Sequence, residues 1–187
     1  MRCDVIVLGG GIIGCALAEE MSRRGRRVVV LERGAIGAEA SSAAAGILSA
    51  QMDLPRPGPL FELCQRSRRI YPRWVRRLER RSGLSVGYHV DGILYLAATA
   101  REAGAMEARA RWQRRRGLRV ERWTPRELRR REPAVDGRFR CAFHFPEEAQ
   151  VDNVRLMRAL AVAARRAGVV HEPVAVRLEP VPLRVVP

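Results

Sequence analysis

Apolar positions follow two rhythms along this chain. Val5–Leu8 and Val28–Leu31 are short unbroken apolar runs, the pattern of strands buried on both faces. Between them, Ile13, Leu17 and Met21 recur four apart, which predicts a helix over Ile12–Arg24 with those residues on one face. Gly25 supplies a helix stop. The order strand, turn, helix, strand predicts one βαβ unit, with its strands parallel.

The helical rhythm returns at Leu60–Arg81, where Leu60, Leu63, Cys64, Ser67, Ile70, Tyr71, Trp74, Val75 and Leu78 follow three-and-four spacing. Pro72 lies inside that pattern and predicts a kink, or a split near Ile70. Val86–Ala97 reads as a strand pair or bent strand turned at Asp91-Gly92. Thr99 with Glu102, and Thr124 with Glu127, are capping boxes that predict helices running to about Arg116 and to just before Pro133. Strands are expected at Val120–Trp123, Phe139–Phe145, Val169–His171 and Val174–Leu178. A helix capped by Asp152 is expected over Asn153–Ala167.

The turn that follows the first strand carries the chemistry. Gly9, Gly11 and Gly14 have the G-x-G-x-x-G spacing. The first permits a sharp turn, the second lets a pyrophosphate approach the backbone, and the third lets the helix pack closely on the sheet. The helix N-terminus offers N–H groups and the positive end of its dipole to phosphate. Glu32 stands eighteen positions past Gly14, at the end of the second strand, where a carboxylate accepts ribose hydroxyls and repels a 2′-phosphate. The pattern therefore points to a dinucleotide, FAD or NAD rather than NADP. Beyond Glu32 lies an Ala-, Gly- and Ser-rich stretch whose small side chains let backbone approach something bulky; Ser41 and Ser42 are expected to cap a short helix over Ala43–Leu48.

Composition changes the picture little. The chain has 187 residues, 47% of them hydrophobic, which allows about one to one and a half domains. The net charge of +15 comes from 35 basic residues, all arginine, spread over nearly every helix; that spread speaks against a nucleic-acid binder, which gathers its charge on one face. Cys3, Cys15, Cys64 and Cys141 form no C-x-x-C pair and no histidine sits at ligand spacing, so neither a metal site nor a disulfide framework is expected, and the compartment reads as reducing and cytoplasmic. His89, His144 and His171 read as structural. No apolar run approaches membrane-spanning length, and no signal peptide precedes the first strand.

The glycine turn followed by ASSAAAGILSAQ resembles the FAD-dependent amine and amino-acid oxidases of the D-amino-acid oxidase superfamily, and within it the glycine oxidases of thiamine biosynthesis. The likeness continues through the helix at 60–83, GILYLA, TPRELRRREP and QVDNVRLMRALAVAARRAG. It implies an α/β fold: a Rossmann-type FAD-binding βαβ unit with a mixed α+β substrate-domain portion. The segments would be residues 1–85 for the first part of the FAD domain, 86–145 for part of the substrate domain, and 146–187 for the return to the FAD domain. By the resemblance, Gly9, Gly11, Ile12, Ile13 and Gly14 would line the FAD pyrophosphate. Glu32, with Arg33 beside it, would hold the adenosine ribose. Ala40, Ser41, Ala45, Gly46 and Ile47 would run along the flavin half, and Val174 would meet the adenine end. The implied reaction moves a hydride from the α-carbon of a small amine or amino acid to the flavin. The resulting imine hydrolyses, and molecular oxygen becomes hydrogen peroxide. The match ends near Leu178 in a proline-rich tail, so the chain reads as truncated, or as a half completed by a second chain, with no catalytic residue assigned.

Overall fold

The computed structural model describes residues 2–135 and 137–174. The chain divides into two compact units, one of residues 1–44, 78–86 and 153–187 and one of 45–77 and 87–152. Both are assembled from separated stretches of the chain.

In the first unit, β1 (Val5–Leu8), α1 (Ile12–Arg23) and β2 (Val28–Glu32) form the expected βαβ unit. β1 and β2 pair in parallel, with Val5 opposite Val28 and Leu8 opposite Leu31. After α6 (Asn153–Arg166) the chain returns as β8 (Val170–Pro173), parallel to β2 on its other side. The strand order β1-β2-β8 leaves β1 at an edge among the described residues. Val7, Ala18, Val28, Val30, Ala164 and Val169 make the core. A short helix, α2 (Ala40–Ala43), belongs to this unit, and its Ser41 and Ser42 carbonyls each accept from the Asn153 side-chain amide.

The buried face of α1 is not the one its large aliphatics suggest. Gly14, Cys15, Ala18 and Glu19 face inward, while Ile13 is 81% exposed and Leu17 is exposed too. Close packing on a sheet selects the small residues, so the large ones are left beside the β1 edge. Ser41 and Ser42 likewise lie inside α2 instead of capping a helix over 43–48, and Ile47–Leu48 is a strand, β3.

In the second unit, β3 pairs antiparallel with β7 (Ala149–Gln150). β4 (Ile93–Ala97), β6 (Cys141–Phe145) and β5 (Glu121–Trp123) form an antiparallel sheet in the order β4-β6-β5. Ala97, Met106, Ala110, Cys141, Phe143 and Phe145 centre its core. α4 (Ala100–Arg115) and α5 (Pro125–Arg131) each begin with the full capping box. Only the second half of the expected strand pair at 86–97 is a strand: Gly92 turns with φ +81°, but His89 ahead of it bridges to Gln150 instead of to β4.

The long helix α3 (Pro59–Ser82) runs through Pro72 without a split. Its buried positions are Phe61, Gln65, Val75, Leu78 and Ser82, while Leu60, Leu63 and Ile70 are exposed. Val75 and Leu78 are buried as the spacing predicts, but the inner face also includes Gln65, which donates to Ala50 O, so hydrophobicity alone misplaces Leu60, Leu63 and Ile70. Of the last expected strand, only Val174 lies within the described residues.

Candidate functional site

The end of β1, the start of α1 and the end of β2 meet in one cradle. Gly9 takes φ +98°, which an L side chain rarely adopts, and its N–H donates to Leu31 O at 2.9 Å. A Cβ on Gly14 would stand 2.0 Å from Gly9 O, so any side chain there would push the helix off the turn. Gly10, which motif spacing passes over, is also crowded: a Cβ would meet Ile36 Cδ1 at 2.4 Å and Glu32 Cβ at 3.1 Å, both side-chain atoms.

Glu32 closes the cradle. Its Oε2 accepts from Gly10 N at 2.7 Å and its Oε1 from Gly34 N at 2.9 Å. Those bonds, led by the one from Gly10, hold the carboxyl below its ordinary range, so it is anionic at neutral pH. Each oxygen keeps a further lone pair for an incoming hydroxyl without giving up its N–H. The Ile12 amide at the α1 N-terminus donates to Ser41 Oγ at 3.0 Å. Ser41 therefore serves the first turn of a helix 29 positions back rather than its own helix. Sequence spacing carries no trace of that tie.

Three shallow concavities radiate from Gly9. One, of about 500 Å³, is lined by β1 residues with Gly9, Gly11, Ile12, Ile13, Gly14, Leu17 and Ser41. A second, of about 250 Å³, joins Gly9, Gly11 and Glu32 to Gly37, Ala40 and Ser41. A third, of about 190 Å³, joins Gly9, Leu31, Glu32 and Arg33 to Glu39 and Val174. Arg33 pairs with Glu39 at 2.7 Å, and Val174 N donates to Glu32 O at 3.2 Å. The structure thus brings together Gly9, Gly11, Ile12, Ile13, Gly14, Glu32, Arg33, Ala40, Ser41 and Val174.

Ala45, Gly46 and Ile47 belong to the second unit. There Gly46 takes φ +76° and its carbonyl accepts from Val151 N at 2.9 Å. Ile47 lines a separate cavity of about 220 Å³ with Ala50, Cys64, Arg68, Tyr71 and Tyr88. Burial there pushes the Tyr71 hydroxyl up to about 12.

A glycine cradle at a helix N-terminus, closed by an acid at the end of the next parallel strand, defines a dinucleotide-binding Rossmann unit. The comparisons with known proteins narrow this. Residues 4–180 match the family model for FAD dependent oxidoreductases, and the chain belongs to that family. It is 36% identical over 168 residues to a glycine oxidase of Geobacillus kaustophilus, covering 89% of this chain and 45% of that protein. It is 35% identical to a bifunctional protein ThiO/ThiG of Trichormus variabilis, covering 90% of this chain and 25% of that one. The crystal structure of the Geobacillus kaustophilus glycine oxidase superposes with a TM-score of 0.89, over 91% of this chain and 46% of that one. The chain therefore spans less than half the length of these relatives. The family is FAD-dependent, so the cofactor of this fold is FAD. No helix among the described residues is long and apolar enough to cross a membrane.

Proposed function

We propose that this chain forms the cofactor-binding part of an FAD-dependent oxidase that acts on the C–N bond of glycine or a related small amino acid or amine. Oxygen would be reduced to hydrogen peroxide, in the cytoplasm and in the service of thiamine biosynthesis. The observation that carries the reading is the 2.7 Å bond from Gly10 N to Glu32 Oε2, which closes the glycine turn and the terminal acid into one site. The cradle fits a diphosphate, since Gly9 and Gly11 line it without a side chain to fill it.

When bound, the flavin supplies the ring that accepts two electrons from the substrate. The chain's own residues bind and orient. Gly9, Gly11, Ile12, Ile13 and Gly14 would receive the pyrophosphate at the positive end of α1. Glu32, flanked by Arg33, would accept the ribose hydroxyls, and its negative charge would turn away a 2′-phosphate. Val174 would border the adenine. Ala40, Ser41, Ala45, Gly46 and Ile47 would run along the flavin half. No described residue is given a catalytic role.

The substrate-binding partner surface would come from a second polypeptide stretch, either continuing this chain or separate from it. Among the described residues β1 has no neighbour on one side, and that edge, flanked by the exposed aliphatics Ile6, Leu8, Ile13 and Leu17, is where an added parallel strand would pair. The test is to denature the purified chain and measure released flavin by its visible absorbance. Released FAD supports the reading; tight NAD binding without flavin would overturn it. Peroxide formation from glycine or sarcosine, with the complementary half of a glycine oxidase added, tests the substrate.

A further inference from the structure

Six polar or charged residues are buried in the described chain, and four of them, Gln51, Gln65, Gln113 and Glu148, converge in the second unit on one short stretch, Ser49–Met52. Ala50 is held at both ends of its peptide unit. Its N–H donates to Glu148 Oε2 at 2.7 Å, and its carbonyl accepts from Gln65 Nε2 at 2.7 Å. Gln51 is held by backbone and side chain together. Its carbonyl accepts from Gln113 Nε2 at 3.0 Å, its own Nε2 donates to Gln113 Oε1 and to Arg119 O, both at 3.3 Å, and its Oε1 accepts from Arg68. Arg109 donates to Met52 O. Arg68 ties the cluster together, with Glu147 at 2.8 Å and Glu148 Oε1 at 3.6 Å.

Such a cluster is not the economical way to hold a loop. Each buried amide and carboxylate loses hydration, and apolar side chains of similar volume would fill the space between α3, α4 and the β6–β7 turn without that loss. Directional hydrogen bonds give something apolar packing does not, namely one backbone conformation for the stretch they grip. That stretch follows Ala45–Ile47 after one residue, and its Ser49 and Ala50 line the 220 Å³ cavity together with Ile47 and Leu48. Arg68 lines the same cavity, but its guanidinium already serves Glu147, Glu148 and Gln51. It belongs to the clamp and is not a grip for a substrate carboxylate.

We infer that Glu148 is a positioning residue: with Gln65, Arg68, Gln51 and Gln113 it fixes Ile47–Met52 so that the adjoining small-residue segment presents a rigid face to the flavin. The flavin half of this inference rests on the function proposed above; the rigidity half does not.

The test uses the whole chain and the variant Glu148→Gln, which keeps an acceptor for Ala50 N and loses the charge opposite Arg68. Amide hydrogen exchange at Leu48–Met52 should accelerate about fivefold or more, while Ile93–Ala97 in the same unit is unchanged. Equal exchange at Leu48–Met52, or acceleration shared by both segments, overturns the inference. Gln113→Leu, from the far side of the cluster, should give the same local acceleration. FAD titration then separates the two ideas. Weaker FAD binding in Glu148→Gln than in the parent supports positioning, and unchanged FAD affinity despite local acceleration overturns it. A parent chain that takes up no FAD overturns the proposed function and the flavin half with it, and the exchange result stands by itself.

Discussion

At the scale of single residues, the cradle depends on contacts with almost no slack. A methyl group on Gly14 would press on Gly9 O, so Gly14→Ala should cost about 1–3 kcal/mol and lower the urea midpoint. Glu32→Gln can keep only one of the two N–H bonds through its remaining carbonyl oxygen; the other oxygen becomes a donor facing a donor. FAD should bind about tenfold more weakly to that variant, a loss of about 1.4 kcal/mol, read by titration of flavin fluorescence. Glu148 gives a pH signature. Burial pushes its carboxyl above the ordinary range, against bonds from Ala50 and Ser49 and the charge of Arg68. The folded state therefore holds that proton more tightly than the unfolded state. Its contribution makes stability fall as pH rises from the unfolded carboxylate value, roughly 4.3, through the folded one, and then level off. The difference in denaturation midpoint between the parent and Glu148→Gln should therefore fall as pH rises across that window. The glycines and Glu32 were legible in the sequence because each does a local job at a known spacing. Gly10 and Ser41 were not. The first is constrained by Ile36 and Glu32, and the second serves Ile12, and both are pairings that only the folded chain creates.

At the scale of elements, helix starts were the clearest text. Thr99 and Thr124 both accept from the N–H three residues on, and Glu102 and Glu127 both reach back, as their spacing predicts. Thr99→Ala and Thr124→Ala should each cost about 1 kcal/mol, measured by chemical denaturation of the second unit. Helix faces were harder to read. In α1 most of the inward residues are small and in α3 they include Gln65, so a rule that buries the largest aliphatics misplaces Ile13 and Leu17 in the one and Leu60, Leu63 and Ile70 in the other. The pairing of His89 with Gln150 was illegible for the same kind of reason, since a turn at Gly92 does not say which strand its arms will meet.

At the scale of the whole molecule, the exposed aliphatics of α1 and the open edge of β1 tell one story. Ile6 is 58% exposed and Leu8 47%, on a strand whose unbroken apolar run suits burial on both faces. The relatives carry more than half their length beyond what this chain covers, and an added strand would cover that ground. The chain by itself should self-associate through this edge. Sedimentation velocity should show oligomers that an Ile6→Lys, Leu8→Lys double variant reduces and that a complementary glycine oxidase half displaces. The measurement that bears most directly on the account is FAD binding by the purified chain, by equilibrium dialysis, beside the same chain carrying Glu32→Gln. One FAD per chain at saturation, undisturbed by NAD and weakened about tenfold by the substitution, is the predicted result. No retained FAD, or equal affinity in the two chains, would contradict it.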